Sequence, residues 1–360
     1  MLLMRCFTEG IGIMSSIQLG DVLITPDSVE LEEAYARTTS LPHGLEVQAG
    51  HYRTEFGHGN PQHAHAWSFT NQPVIATRAL GVDGLSGVGA RVGYRAPLPW
   101  RTQLIIGAQN TDDHGMDAIN GIGGGHHHGD DDAEDASAVA GFPVAERTTT
   151  RSPGDLAWSA RLEQRWQIDH LAVQLGCSAA TTRNLTGSDT RTLLTGADVT
   201  LRWQRHDRPQ WVSASAELIG RRVDADGFTA VGLGPDLQPD TGDETGVDVA
   251  ATTLRDLGGW AQVEVGFAPG WSAGVRAEYV TAHGETVHQD EAEVTFDRTS
   301  DPLRDDRERY SALLAWRPSG FSRLRVQYDY DRADHLADGD AHTIALGADF
   351  LLGAHPTHGW

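Results

Sequence analysis

The chain contains no lysine, only two cysteines, and no apolar run near the roughly 18 residues that a helix needs to span a membrane. Because lysine is absent, all 28 basic residues are arginine, and they face 50 acids for a net charge of −22. A field of that sign repels phosphate backbones, which excludes nucleic acid as a partner. Cys6 and Cys177 lie far apart and outside any C-x-x-C pair, so neither a disulfide framework nor a thiolate zinc site is expected. The missing apolar run excludes helical membrane proteins but not barrels, in which only alternate strand residues meet lipid. Catalytic signatures are missing as well: there is no G-x-S-x-G, H-E-x-x-H, phosphate-binding glycine loop or dinucleotide fingerprint, and no enzymatic activity is expected. The opening Met1-Leu2-Leu3-Met4-Arg5-Cys6-Phe7 has no basic n-region, sustained apolar core or cleavage site. Residues 1–28 are therefore expected to be an irregular remnant, with the signal peptide and first strands missing, ahead of one domain over 29–360.

What is present is alternation with a period of two, the mark of a strand with one apolar and one polar face. Leu156, Trp158, Ala160, Leu162, Trp166 and Ile168 share one parity, with Ser159, Arg161, Glu163, Arg165 and Gln167 on the other. The pattern recurs in Leu193 to Trp203, in Ala261 to Phe267 and in Leu324 to Tyr330. These runs of about ten to fifteen residues exceed the usual globular strand and suit a tilted bilayer crossing.

Connections sort by length. Short turns are read at Leu41-Pro42-His43, Pro97-Leu98-Pro99, Asp169, Asp207-Arg208-Pro209, Pro269-Gly270 and Pro318-Ser319-Gly320. Long polar stretches occupy about 54–66, 110–153, 223–253 and 284–309, with shorter ones near 184–190 and 332–340. From 154 onward short and long connections alternate almost strictly, the asymmetry of an outer-membrane barrel, tight on the periplasmic side and extended outside. Trp100, Trp166, Trp203, Trp211, Trp260, Trp271, Tyr310, Trp316 and Tyr330 stand near strand ends, where interfacial girdles lie. The fold class expected is all-β: an antiparallel transmembrane β-barrel of about 12–16 strands, with Trp67 to Arg78 the doubtful strand.

Two histidine groups have ligand chemistry. His126, His127 and His128 are followed by Asp130, Asp131 and Asp132 in a glycine-rich loop, with His114 upstream. Imidazole and carboxylate suit Zn²⁺, and the expectation is a weak, multi-state binder rather than a required cofactor; a polar loop with a chance His run is the alternative. His63 and His65, two apart, project to one face of an extended chain near Glu55, either as a metal relay at a barrel mouth or as part of a structural loop folded into the lumen. Half of the acids, 25 of 50, fall within 110–153, 223–253 and 284–309, a rim that would concentrate cations. By parity, Arg161, Arg165, Arg202, Glu264, Arg276 and Arg325 are the candidate pore-lining residues.

The residues Glu30-Leu31-Glu32-Glu33-Ala34-Tyr35, Leu45 to Gly50, Thr54-Glu55-Phe56-Gly57, Asn60 to Trp67 and Gly81-Val82-Asp83-Gly84-Leu85, with the ending Ser322 to Tyr330 and Gly353 to His358, resemble the phosphate-selective-porin-like barrels. Within them the similarity is to the zinc-regulated outer-membrane porin or receptor group. The resemblance implies a passive porin integral to the outer membrane, expressed under zinc limitation, with lipid, small hydrophilic solutes or divalent cations as partners and a homotrimer as the assembly. The absence of lysine departs from the lysine-rich pores of the phosphate-selective relatives and argues against phosphate as the permeant. A plugged-barrel surface receptor and a metal-binding β-protein without channel activity are the other readings.

Overall fold

The computed structural model describes residues 6–8, 16–24, 29–38, 40–122, 139–145, 152–205, 208–232, 245–289 and 294–350. Among the described residues fifteen strands form one antiparallel sheet in which each pairs with its neighbour in chain order. They are β1 (Cys6–Thr8), β2 (Ser16–Ile24), β3 (Val29–Arg37), β4 (Leu45–Arg53), β5 (Ser86–Ala96), β6 (Arg101–Gln109), β7 (Ala157–Ile168), β8 (Leu171–Arg183), β9 (Arg191–Gln204), β10 (Trp211–Ala225), β13 (Thr252–Ala268), β14 (Trp271–His283), β17 (Arg307–Ser319), β18 (Ser322–Ala333) and β19 (Asp340–Phe350). Two further hairpins stand in the long connections: β11 (Phe228–Gly232) with β12 (Thr245–Val249), and β15 (Val287–Gln289) with β16 (Val294–Phe296). The span 1–28, expected to be irregular, thus contributes β1 and β2 to the sheet.

Alternation sets which face each side chain takes. Along β13, Leu257, Val263, Val265 and Phe267 point outward and are exposed, whereas Trp260 and Glu264 point inward and are buried. Outward positions from Leu257 to Phe267 cover about 34 Å of strand. At the roughly 40° tilt of such barrels this is about 25 Å along the membrane normal, the height of a lipid-facing band. Val275 is 61% and Leu218 54% exposed on the same surface, an arrangement that water would penalise and hydrocarbon would not. Val263→Arg is therefore expected to destabilise the barrel by about 2–4 kcal/mol, while Trp203→Arg, near the turn end of β9, costs less; urea midpoints in detergent check both. Equal tolerance at the two sites would reverse the assignment of faces.

Trp271 and Trp316, directly paired across β14 and β17, stack with ring centroids 5.6 Å apart at the turn end of this outer face. Two residues expected in the girdle are not there. Trp260, at the middle of β13, is buried inside, and Trp211 lies under the Arg202 guanidinium, 5.6 Å from its ring centroid; both occupy inward parity.

The connections β5–β6, β7–β8, β13–β14 and β17–β18, of two to four residues, all lie at one end of the sheet. Three of these are two-residue hairpins, and in the one that joins β7 to β8 through Asp169 and His170, Asp169 takes a left-handed backbone (φ 49°) of the kind such hairpins demand. The opposite end carries the long connections, and the first of them, 54–85, does not project outward. It is a strap inside the sheet. Its α1 (Val74–Leu80) replaces the doubtful strand of Trp67 to Arg78. Pro73 before this helix and Gly81 after it, at φ 87°, are the usual start and stop residues.

Candidate functional site: a strapped lumen

The strap is held by inward side chains that alternation had already turned away from lipid. At its tip, Glu217 of β10 accepts hydrogen bonds from the backbone N–H of His58 (3.2 Å) and Gly59 (3.3 Å), while the Gly57 N–H donates to Ser178 of β8 (3.0 Å). Gly57 is at φ 62°, and a Cβ there would collide with the Glu217 carboxylate, so this approach requires glycine. Beneath it, Arg161 of β7 makes a two-pronged contact with Asp198 of β9 (2.7 and 3.0 Å) and donates to Ser178.

Further along, Arg325 of β18 donates to the carbonyls of Trp67, Ser68 and Phe69, and Arg323 to those of Trp67 and His65. Thr70 donates through its backbone N–H and its hydroxyl to Gln327, and Asn71 donates to Asp329. Arg276 of β14 pairs with Glu278 (2.8 Å), binds Asn71 and lies over the Phe69 ring, 4.5 Å from its centroid. Glu278 also accepts the Val74 N–H that opens α1 (2.6 Å). Arg78 on α1 reaches Asp305 in the connection between β14 and β17 (3.0 Å). One segment can touch β8, β10, β14 and β18 only because the sheet curls around it.

The upper half of the lumen holds an apolar cluster. Phe56, Ile75, Ala79, Leu80 and Leu85 of the strap pack with Met116 and Ile119 against inward Leu194, Ile219, Trp260 and Val280. Gly258 of β13 lets Ile75 in, since a Cβ there would stand 2.9 Å from the Ile75 Cβ. Above this, Val139, Ala140 and Phe142 form a second apolar cluster with Val223, Ala230, Val249, Leu254 and Val287. The connections read as polar loops over 223–253 and 284–309 thus contain hairpins that cap the barrel mouth.

The opposite wall is left open to water. On β3 to β7, Arg37, Glu46, Arg91, Glu163 and Arg165 are half-buried, and Arg95 and Arg101 are exposed, all on the inward face. Arg91 binds Glu55 at the base of the strap and Gln48 (2.7 Å), so a guanidinium and a carboxylate face each other beside this passage.

All six pore-lining candidates take the inward face. Arg161, Glu264, Arg276 and Arg325 are buried, with partners in the strap or on adjacent strands; Glu264 accepts from Ser272 (2.7 Å). Arg165, bound to Glu163 (2.7 Å), and Arg202 are the half-buried members facing the turn end of the lumen. His63 and His65 stack with centroids 5.6 Å apart, and buried His63 bonds Glu33 (3.0 Å). His114 is exposed and sits 3.5 Å from Asp117. Its neighbour Asp113 bonds His51 (3.1 Å), and that hydrogen bond holds the Asp113 carboxyl below the usual carboxylate range. His126, His127, His128, Asp130, Asp131 and Asp132 lie outside the described residues. Among the described residues no three His, Cys, Asp or Glu side chains converge as a metal centre.

Asp198, Glu217, Asp256, Glu278 and Gln327 were not singled out from sequence, although each is a polar residue at inward parity and all but Asp256, which follows Arg255, stand between outward apolar neighbours. That signal marks the face but not the partner.

No protein-family model matches the chain. It is 26% identical over 345 residues, 92% of its length, to an uncharacterized protein of Aquifex aeolicus (strain VF5), and it spans 64% of that relative. In fold it is similar to in-vitro folded OmpT of Vibrio cholerae in its trimer form (TM-score 0.51, 10% identity, 94% of this chain and 87% of that one). It is equally similar to the anion-selective porin from Comamonas acidovorans (0.50, 8%, 96% and 83%) and to the outer-membrane channel DcaP of Acinetobacter baumannii (0.50, 12%, 96% and 83%). The fold is that of an outer-membrane β-barrel. With its apolar belt the barrel is integral to that membrane, its short turns periplasmic and its capped, strapped end outside.

Proposed function

We propose that this barrel is a porin-type channel through which small hydrophilic solutes diffuse passively, along the passage between the strap and the wall of β3 to β7. The observation that carries this reading is the division of the lumen: inward Glu217, Arg276, Glu278 and Arg325 are buried beneath the strap, whereas on the wall of β3 to β7 Arg95, Arg101 and Arg165 keep contact with water. Such a lining passes hydrated solutes and biases them by charge. Planar-bilayer recording is expected to give discrete conductance steps. Arg101→Gln with Arg165→Gln is expected to shift the reversal potential in a salt gradient toward cation preference. Steps insensitive to these substitutions would place the path elsewhere.

A specific observation favours a second reading, the plugged receptor: the apolar core shared by strap and barrel. It predicts the same membrane location without conductance. A soluble metal-binding β-protein finds no support, because it would leave the apolar belt in water.

Selectivity for divalent cations, zinc first, is the finer proposal, and it rests on the acidic and histidine-bearing loops. Deleting 121–135 is expected to lower Zn²⁺ uptake at low concentration in a liposome assay, and unchanged uptake removes that loop from the mechanism. The ion is cargo here rather than a resident cofactor. Assembly as a homotrimer completes the proposal, drawing on the trimer form of the Vibrio neighbour.

A further inference from the structure

At the extracellular end of the outer face, bases stand directly opposite bases. Arg183 of β8 pairs across the ladder with Arg191 of β9. Arg222 of β10 pairs with Arg255 of β13, and Arg255 pairs in turn with His283 of β14. All five are exposed and share the outward parity of Leu193, Leu218 and Leu257 just below them. Like charges opposite one another in a sheet are destabilising, and this chain has nearly twice as many acids as bases available to separate them.

Only two acids compensate the row among the described residues: Asp155 lies 3.5 Å from Arg183 and Asp224 lies 3.0 Å from Arg222. Arg191, Arg255 and His283 have no ion-pair partner among those residues. The adjoining strands differ at the same height. There Glu308, Arg332 and Asp340 alternate in sign across β17, β18 and β19.

From this contrast we infer that the uncompensated row binds the phosphate-bearing headgroup of a lipid in the outer leaflet. The row sits within two residues of the apolar belt, where lipid headgroups lie. Leu193, Leu218 and Leu257 stand beneath it for the acyl chains, and exposed Trp158 flanks it at the same level through the pairs of Thr181 with Trp158 and with Leu193. Guanidinium recognises phosphate with paired hydrogen bonds, and the anion would relieve the repulsion between facing arginines.

The test is native mass spectrometry of the full-length barrel in mild detergent, titrated with diphosphoryl lipid A. The wild type is expected to bind it, and Arg222→Gln with Arg255→Gln to weaken binding about tenfold or more. Arg183→Gln with Arg191→Gln should also weaken it, whereas Arg332→Gln in the alternating row should not. Heat-modifiable migration verifies that each variant is folded. Equal binding by wild type and the Arg222/Arg255 variant would overturn the proposal. So would equal binding of fully dephosphorylated lipid A, or complete displacement by inorganic phosphate, which would indicate a free-anion site.

Discussion

Excising the strap, with residues 56–83 replaced by a short glycine-serine turn, is expected to raise single-channel conductance several-fold while the barrel still forms. The ends are already together: the Thr54 N–H donates to the Leu85 carbonyl at 2.8 Å, so a short turn closes the gap at little entropic cost. What leaves is the obstruction. The apolar residues of the strap fill the lumen above the charged passage, and the side chains they cover, among them Glu217, Glu278, Arg325 and Gln327, would face water instead. Thermal stability should fall, because Leu194, Ile219, Trp260 and Val280 lose their apolar cover. A conductance unchanged by the excision would mean that the strap does not limit flow, and a barrel silent before and conducting after it would favour the plugged reading.

Asp256→Ala is expected to cost about 3–5 kcal/mol of stability, the largest effect of any single substitution considered. The Asp256 side chain is fully buried and serves two guanidiniums, accepting from Arg221 at 2.7 Å and from Arg304 at 3.1 Å. Arg304 is itself buried and also donates to the carbonyls of His283 and Gly284. Removing the carboxylate leaves two buried cations facing each other, and the cost is that of uncompensated charge rather than of two lost hydrogen bonds. The exposed Arg222 and Asp224 pair serves as the control, and Asp224→Ala should cost under about 1 kcal/mol. Urea unfolding in detergent, followed by tryptophan fluorescence, measures both. Equal losses in the two variants would mean that water reaches Asp256.

Much of the barrel was legible from residue order because its determinants are local. Whether Val263 meets lipid and Glu264 meets the interior depends on a period of two, which any ten-residue window displays. The hairpin at Asp169 and the alternation of short and long connections are likewise written in short stretches of chain. Where the reading went astray, the missing information was long-range. Val74 to Leu80 looked like a weak strand because its apolar residues sit in a polar stretch; it is a helix because it lies within a ring of apolar inward residues from β9, β10, β13 and β14. Trp211 lies beside a turn as girdle residues do and Trp260 stands at the middle of β13, and the pairing register turns both inward.

Sequence by itself determined the sheet, the lipid-facing surface, the direction in which polar side chains point and the end at which long connections gather, since each follows from neighbours a few positions apart. Tertiary structure alone decided that the first long connection turns inward and which wall it covers. Arg325 and the Phe69 carbonyl are 256 residues apart, as are Gln327 and Asn71. No local pattern encodes such a meeting. It arises when a curled wall of inward polar groups must satisfy its hydrogen bonds away from bulk water, and the backbone of the strap supplies the partners.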